Sequence, residues 1–201
     1  LVVALAIGMV AVIAAFTATT SGGSFSISYT AYHVNAEMTA AYKAPGASSY
    51  ADLTVNTDND GNTAGSTETT TKMVFNASEA ATKSFNNASA MKFTRTNKTV
   101  VLRYTIKNTG SAAIKVTKNF TGPTKTGSID IKYAMLNGQS SVPTSDPTTW
   151  KTTANEALED ATSITASKIL CFYVQITLTS NTGDASFAGA FNFSLSAVDA
   201  N

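Results

Sequence analysis

The sequence predicts an all-β protein: an antiparallel β-sandwich, jelly-roll or immunoglobulin-like, of about seven or eight strands, preceded by a hydrophobic N-terminal segment. Alternating apolar and polar residues recur along the chain, a pattern typical of half-buried strands. Turn-forming groups of Asn, Gly, Ser and Pro separate these stretches. The first sixteen residues are apolar throughout, and no Asp, Glu, Lys or Arg occurs before Glu37.

The apolar segment Leu1–Phe16 has three interpretations. It is the hydrophobic region of a secretory signal, cleaved before Phe16 after the small pair Ala14–Ala15, or a retained membrane anchor, or a retained helix in a filament core, as in type IV pilins. A helix of this length measures about 24 Å, shorter than the hydrocarbon core of about 30 Å. Each interpretation takes the chain out of the cell. We therefore expect a secreted or cell-surface protein whose N-terminal segment contacts the membrane before assembly.

Composition favours one domain and gives no sign of a nucleic-acid partner. Of the 201 residues, 43% are hydrophobic and 13% are charged, and the formal net charge is +1. A near-neutral chain lacks the basic footprint of nucleic-acid binding. We expect a leader with a Thr/Ser/Gly linker over residues 1–23 and the β-sandwich domain over residues 24–201. Cys171 is the single cysteine, so no intramolecular disulfide forms, and we expect it to be a small core residue.

The first part of the domain predicts one long strand and several shorter features. Ser24–Tyr42 alternates, and its apolar face changes near Thr30–Tyr32, which predicts a β-bulge or a strand covered on both faces. Pro45–Gly46 predicts a turn, and Asp52–Val55 predicts a short strand. Met73–Phe93 has an irregular pattern with room for one or two helical turns.

The clearest strand is Thr99–Asn108, whose apolar residues occupy alternate positions. The sequence Asn-Thr-Gly-Ser then predicts a turn, and alternation resumes over residues 112–116. This pattern predicts a half-buried antiparallel hairpin. The apolar residues of its inward face are Val100, Leu102, Tyr104, Ile106, Ala112, Ile114 and Val116.

A further strand and a loop follow this hairpin. Ile129–Met135 alternates as a strand and leads to Asn137–Gly138, a strong signal for a tight turn. Residues 140–150 contain two prolines and predict a surface loop. We expect Trp150, at the end of this loop, to be a packing residue.

The last part of the chain predicts a short helix and a pair of strands. Residues 154–160 predict the helix, with a solvated acidic face. Apolar residues alternate over 170–178 and again over 187–197, and residues 180–184 carry a turn signal between the two strands.

Residues that could carry catalysis are few. His33 is the single histidine, and neither a cysteine nor an H-E-x-x-H motif accompanies it in the sequence. No Gly-rich phosphate loop and no G-x-S-x-G nucleophile motif occurs. We therefore expect a protein that is not an enzyme and that has no cofactor.

One loop partly matches a calcium-binding pattern. Asn56, Asp58, Asp60 and Gly61 fall at the first, third, fifth and sixth positions of that pattern. The acidic residue that should close it falls one position late, at Glu68. A solvated turn is the favoured interpretation, and Ca²⁺ bound by Asp58 and Asp60 is the alternative.

The glycosylation signal N-x-[ST] occurs five times. Its use depends on the host, and a chain so rich in Asn, Ser and Thr contains several such matches by chance. The candidate N-glycosylation sites are Asn76, Asn87, Asn97, Asn119 and Asn192.

Several stretches resemble the TasA/camelysin family of secreted biofilm fibre proteins. The first is the junction Ala14–Phe16, followed by a polar spacer and the strand Ser24–Thr30. The second is Tyr104–Val116, whose K-N-T-G-S sequence looks like the hairpin of that family. The third is the chain end, with Phe172–Leu178 and the strand at Phe191. The resemblance implies a jelly-roll subunit that polymerises when an N-terminal segment of one copy adds a strand to the next.

If assembly follows this resemblance, the donor segment begins at Phe16 and includes Phe25, Ile27 and Tyr29, which are spaced to fill alternate pockets. An exposed sheet edge is a template for a further strand, and a head-to-tail contact that does not close into a ring gives a filament. We therefore expect a structural subunit of an extracellular filament or biofilm fibre, a homopolymer of this chain.

Three alternatives to strand donation stay open. The segment pairs only within its own domain, or a retained N-terminal helix forms the filament core, as in archaeal type IV pilins and archaellins, which this version would resemble. In the third alternative the protein is a monomeric surface module that binds carbohydrate or cell wall, with Trp150 and nearby tyrosines as a sugar platform.

Overall fold

The computed structural model describes residues 16–18, 35–56, 68–69, 71–75, 84–85, 96–118, 121–126, 128–159, 162–180, 186–190 and 193–197. Strands dominate this part of the chain, and their pairings are antiparallel. The predicted all-β class with antiparallel sheets is therefore confirmed.

The described residues form fifteen strands and one short helix. In chain order these are β1 Phe16–Ala18, β2 Ala36–Lys43, β3 Ala51–Asp52, β4 Val55–Asn56, β5 Glu68–Thr69, β6 Lys72–Phe75, β7 Ser84–Phe85, β8 Thr99–Asn108, β9 Ile114–Lys118, β10 Thr121–Thr126, β11 Ile129–Gln139, α1 Ala154–Ala157, β12 Thr162–Ile164, β13 Ile169–Leu178, β14 Ser186–Ala190 and β15 Phe193–Ala197.

These strands are arranged in four sheets. The largest is seven-stranded, with the order β11-β13-β8-β2-β6-β5 and with β3 also paired to β2. A four-stranded sheet has the order β1-β15-β9-β12, and the pairs β10-β14 and β4-β7 form the other two. Residues close in sequence are therefore often in different sheets.

One apolar cluster takes side chains from both of the larger sheets. Met38, Ile106 and Phe172 come from the seven-stranded sheet, and Ile114 and Val116 come from the four-stranded sheet. Each of these side chains is at most 1% exposed, and burial on this scale contributes about 1.5–3 kcal/mol per side chain. The predicted alternation on β8 and β13 is confirmed, because their alternate apolar residues belong to this cluster.

The opposite face of the seven-stranded sheet is also buried at its centre. A second apolar cluster lies on this face and consists of Val101, Ala134, Ile169, Cys171 and Tyr173. Trp150 and Tyr50 pack against this cluster. The Trp150 ring meets the Tyr173 ring edge-on, with 6.4 Å between the ring centroids. The prediction that β8 is half-buried is therefore wrong, because other parts of the chain cover the face that alternation assigned to solvent. The predicted packing roles of Cys171 and Trp150 are confirmed.

The predicted hairpin around Asn108 is wrong. β8 pairs with β2 and β13, whereas β9 pairs with β12 and β15 in the other sheet. The Asn-Thr-Gly-Ser stretch therefore carries the chain from one sheet to the other. Asn108 is fully buried, and its Nδ2 donates to the carbonyls of Ala112 at 2.7 Å and Ile164 at 3.0 Å. Its Oδ1 accepts from the Gly110 N–H at 2.9 Å, so one side chain holds the corner.

Asn137–Gly138 does not end β11 in a hairpin turn, as the sequence predicts. The strand continues to Gln139, and its register against β13 shifts between Leu136 and Gln139. Gly138 has φ of 72°, a left-handed conformation that suits glycine both in a tight turn and in a β-bulge. The observed feature is a bulge.

Two local predictions are confirmed. At Pro45–Gly46 the Ala47 N–H donates to the Ala44 carbonyl at 2.9 Å, and Gly46 has φ of 80°, as a turn requires. The predicted short helix is α1, which begins after Thr153. Its first turn is closed by a capping box, in which Thr153 and Glu156 each bond the backbone N–H of the other.

Other predictions need correction. Met73–Phe93 was expected to be irregular, but it includes most of β6, which pairs with β2 and extends the large sheet, and the short strand β7. The strand expected over 187–197 is two strands, β14 and β15, and they lie in different sheets. The strand expected at Asp52–Val55 is divided between β3 and β4, with Leu53 buried between them. No helix in the described part of the chain is long and apolar enough to span a membrane.

Candidate assembly site

The first strand in the described part of the chain lies at one end of the four-stranded sheet. β1 pairs antiparallel with β15, so that Phe16 lies opposite Leu195, Thr17 opposite Ser194 and Ala18 opposite Phe193. The other side of β15 pairs with β9 along its whole length. The edge of β15 is therefore a formed strand template, and the N-terminal strand of this chain occupies it.

Side chains of other elements hold the opposite end of this sheet. β12 is only three residues long and pairs with β9. The Ser163 carbonyl accepts a hydrogen bond from Asn137 Nδ2 at 2.9 Å, and the Ile164 carbonyl accepts one from Asn108 Nδ2 at 3.0 Å. Short edge strands and capped edge groups are means by which proteins avoid edge-to-edge pairing. This geometry favours the β15 edge over β12 for strand exchange.

One edge strand of the large sheet, β11, is also protected. Tyr133 exchanges two backbone hydrogen bonds with Lys151, at 2.8 and 2.7 Å, on the side of β11 away from β13. The chain after Lys151 enters α1, which packs beside β11. Burial raises the pKa of the Tyr133 hydroxyl above its usual range. The centre of this edge is therefore covered by the chain itself.

A polar cluster closes the second face of the large sheet. Asp146, in the loop 140–150, forms an ion pair with Lys43 and accepts a hydrogen bond from the Tyr50 hydroxyl at 2.7 Å. The Arg103 guanidinium lies over the Tyr50 ring and donates to the Pro143 carbonyl at 2.7 Å. Burial, with a smaller effect of Asp146, raises the pKa of Tyr50 above its usual range. The cluster fixes the loop to the sheet.

The Tyr173 hydroxyl and the Cys171 thiol are also buried on this face of the large sheet. Burial raises the pKa of the Tyr173 hydroxyl and of the Cys171 thiol. Thr105 Oγ1 lies 3.8 Å from Cys171 Sγ. A buried thiol held in its protonated form is a weak nucleophile and a weak metal ligand, which agrees with a packing role for this residue.

The aromatic residues near Trp150 are built into this packing. Tyr173 is fully buried and the edge-on contact places Trp150 against it. Tyr50 is held between Arg103 and Asp146. A sugar platform needs an accessible ring face, so the observed contacts favour the packing role over carbohydrate binding.

Of the residues predicted for polymerisation, Phe16 lies on β1 at the β15 edge, and Phe25, Ile27 and Tyr29 lie outside the described residues. The calcium candidates Asp58 and Asp60 and the lone histidine His33 lie outside them as well. Within the described part of the chain, no group of three or more His, Cys, Asp or Glu side chains is placed to hold a metal ion.

One of the five candidate glycosylation sites can be placed. Asn97 is exposed, and its Nδ2 lies beside the turn at Gly46, where a Cβ atom would approach it to 2.6 Å. The carboxamide that would carry a glycan is thus close to backbone on one side. The other candidates, Asn76, Asn87, Asn119 and Asn192, lie outside the described residues.

Sequence reasoning missed two residues that shape this site, Asn108 and Asn137. The sequence predicts a turn at each of them, and both instead bond carbonyls of β12. One sequence signal could have identified Asn108. It occupies the next alternate position after four apolar residues, so the alternation places its polar side chain on the buried face of the strand.

Comparisons of the chain with protein-family models, with curated proteins and with solved structures gave no match.

Proposed function

We propose that this protein is a structural subunit of an extracellular filament or biofilm matrix fibre, and that it polymerises head-to-tail through its N-terminal segment. The observation that carries the proposal is the pairing of β1 with the edge of β15. In the filament, the β1 strand of one copy takes this place on the β15 edge of the next copy. The protein is a secreted homopolymer in the manner of the TasA/camelysin family that its sequence resembles.

The length of chain between β1 and β2 supports exchange between copies. Residues 19–35 separate these two strands, and seventeen residues span at most about 61 Å when fully extended. A compact domain of about 180 residues has a radius of gyration of about 16 Å. The connection is therefore long enough for β1 to reach a neighbouring copy without disturbing β2.

The energetics of a short strand also support exchange. A ladder of three residues offers only a few hydrogen bonds, each worth about 0.5–1.5 kcal/mol net. The same bonds form whether β1 comes from the same chain or from a neighbour, so exchange conserves them. Intramolecular pairing has an effective concentration in the millimolar range, which explains how an unassembled copy occupies its own edge.

The proposed contact joins two different surfaces, a β1 strand and a β15 edge, so it is heterologous. One-way donation of this kind forms an open filament unless the rotation closes a ring, whereas reciprocal exchange of β1 between two copies would close a dimer. We propose that the two larger sheets form the layers of a β-sandwich, because one apolar cluster takes side chains from both.

The experiment that tests the proposal removes the backbone donors of β1. Successive residues of a strand direct their N–H groups to opposite edges, so the double variant Thr17→Pro/Ala18→Pro removes a ladder donor in either register. The matched control, Thr19→Pro/Thr20→Pro, places the same two prolines directly after β1. We expect the control to form filaments in electron micrographs and the β1 variant to stay monomeric and folded.

N-terminal sequencing of the same filaments separates strand donation from a helical core. Subunits that begin at Phe16 support donation, because the apolar leader has been removed. Subunits that begin at Leu1 and that polymerise equally well with prolines in β1 would overturn donation and favour a retained, pilin-like helix.

A further inference from the structure

Asn137 and Gly138 form an exposed bulge near the end of β11. The Gly138 N–H lies 2.8 Å from Oδ1 of the preceding Asn137 side chain. Gly138 has φ of 72°, and a Cβ atom built on it would meet no atom within 4 Å. The Gly138 nitrogen is therefore unshielded by a side chain, open to water and directly beside the Asn137 carboxamide.

We propose that Asn137–Gly138 is a site of spontaneous, non-enzymatic deamidation, a modification independent of the proposed filament function. The deprotonated Gly138 nitrogen attacks Cγ of Asn137. A bond forms between that nitrogen and Cγ, the Cγ–Nδ2 bond breaks, and ammonia leaves with the proton. Water then opens the resulting five-membered imide at either carbonyl, which gives aspartate or isoaspartate. Water is the only co-reactant.

The local geometry brings the reacting groups together. Intramolecular reactions are fastest when nucleophile and electrophile are held in contact, and the Gly138 N–H donates to Oδ1 of the carboxamide that this nitrogen must attack. Glycine places no side chain over the attacking nitrogen. Among the described residues, the leaving Nδ2 is held by one exposed hydrogen bond, to the Ser163 carbonyl. The sequence contains no second Asn-Gly pair.

The modification has a structural consequence for β12. Asn137 Nδ2 donates to the Ser163 carbonyl at 2.9 Å, and a carboxylate has no hydrogen to donate. The product therefore places a negative oxygen against a carbonyl oxygen, and β12 loses one of its two side-chain caps. Isoaspartate also routes the main chain through its side chain, which adds one backbone atom before Gly138, two positions ahead of Gln139, the residue that pairs with Ile169. Conversion loosens the contact between the β11 bulge and the four-stranded sheet.

The test is a time course on the full chain, held at neutral and at mildly alkaline pH and followed by peptide mapping with mass spectrometry. Asn155 is an internal control, because it is also exposed but precedes Glu156, whose side chain shields the attacking nitrogen. We expect Asn137 to convert several-fold faster than Asn155, to yield both aspartate and isoaspartate, and to convert faster at the higher pH. Equal rates at the two sites, or an Asn137 that keeps its amide, would overturn the proposal.

Two variants test the geometry and its consequence. Gly138→Ala adds a Cβ beside the attacking nitrogen, and we expect it to suppress conversion several-fold. Asn137→Asp reproduces the main charge change of the product, and we expect its Tm to fall by a few degrees, while Asn155→Asp leaves the Tm unchanged. Conversion in Gly138→Ala at the wild-type rate would contradict the proposed attack. A Tm of Asn137→Asp equal to that of Asn155→Asp would contradict the loosening of β12.

Discussion

The guanidinium carbon of Arg103 lies 4.1 Å from the centroid of the Tyr50 ring. Arg103 belongs to β8, at the centre of the large sheet, and Tyr50 belongs to the segment that leads into β3. The same guanidinium donates to the Pro143 carbonyl, so one side chain joins the sheet to two covering segments. A cation–π contact contributes about 0.5–2 kcal/mol, more when it is shielded from water. The contacts of Arg103 with Tyr50 and Pro143 therefore help to hold two covering segments against the face of the large sheet that lies opposite the main apolar cluster.

The Tyr50 hydroxyl should contribute measurably to this closure. Tyr50→Phe keeps the ring under Arg103 but removes the hydrogen bond to Asp146, which is 2.7 Å long. Hydrogen bonds to charged groups contribute about 1.5–3 kcal/mol, and the partly exposed setting reduces this, so we expect the free energy of unfolding to fall by about 1–2 kcal/mol in urea titrations. The control is Tyr173→Phe, because the buried Tyr173 hydroxyl has no nitrogen or oxygen partner within the described residues. Equal losses in both variants would contradict the assignment.

The buried tyrosines predict a loss of stability at alkaline pH. Burial raises the folded-state pKa of Tyr50 and Tyr173, whereas tyrosine in an unfolded chain ionises near pKa 10. Above that pH the unfolded state binds fewer protons than the folded state, so the free energy of unfolding falls as pH rises. Below it, these groups contribute a constant stability. Urea titrations over a pH series should show this fall, with a shallower slope in Tyr50→Phe, and a flat profile above pH 10 would contradict it.

The corner at Asn108 should be the most sensitive polar position in the described part of the chain. Asn108→Ala removes three hydrogen bonds and leaves the carbonyls of Ala112 and Ile164 without their side-chain donor. A buried group left without a partner costs about 1–3 kcal/mol, so we expect a loss of about 2–4 kcal/mol in urea titrations. Asn137→Ala, at an exposed site with a similar bond to β12, should cost at most about 1 kcal/mol. A loss below 1 kcal/mol at Asn108 would contradict its role as the corner.

Ser167 offers a site for stabilisation. Its φ of 62° is left-handed, a conformation that costs a residue with a Cβ about 1–2 kcal/mol, while glycine costs about 0.5–1 kcal/mol in chain entropy. Ser167→Gly should therefore raise the free energy of unfolding by about 0.5–1 kcal/mol. The reverse change, Gly138→Ala at φ of 72°, should lower it even though the space around Gly138 is open. A thermal melt in which both variants move the Tm in the same direction would contradict this reasoning.

The sequence pattern predicted the strands more successfully than their partners. Alternation identified β8 with its observed bounds and identified its inward residues, because period-two burial is a property of the strand itself. The stretch after Asn108 and the pair Asn137–Gly138 were assigned to hairpin turns. The same residue types also build a corner and a bulge, and local sequence does not distinguish these outcomes.

Closure of the second face depends on contacts between distant residues. Tyr50 and Asp146 are 96 positions apart, and neither carries a local signal that it will meet the other. Phe16 pairs with Leu195 within the same chain. Pairing within the domain was one of the alternatives that the sequence left open, but no pattern in the sequence specified which edge the segment would meet. The alternation of apolar and polar residues indicates which side chains are buried. It does not indicate which distant segment covers them, because tertiary packing determines that.

The most direct test of the proposed assembly is a mixed cross-linking experiment. Thr17 and Ser194 lie opposite each other in the β1–β15 ladder, where Cα atoms are about 4.5–5.5 Å apart, within the range that a disulfide bridges. One chain carries Thr17→Cys and another carries Ser194→Cys, and the two are mixed, assembled and oxidised. Strand donation predicts a mixed disulfide dimer on a denaturing gel. Filaments that form without any mixed dimer, while the doubly substituted single chain links only to itself, would contradict the account.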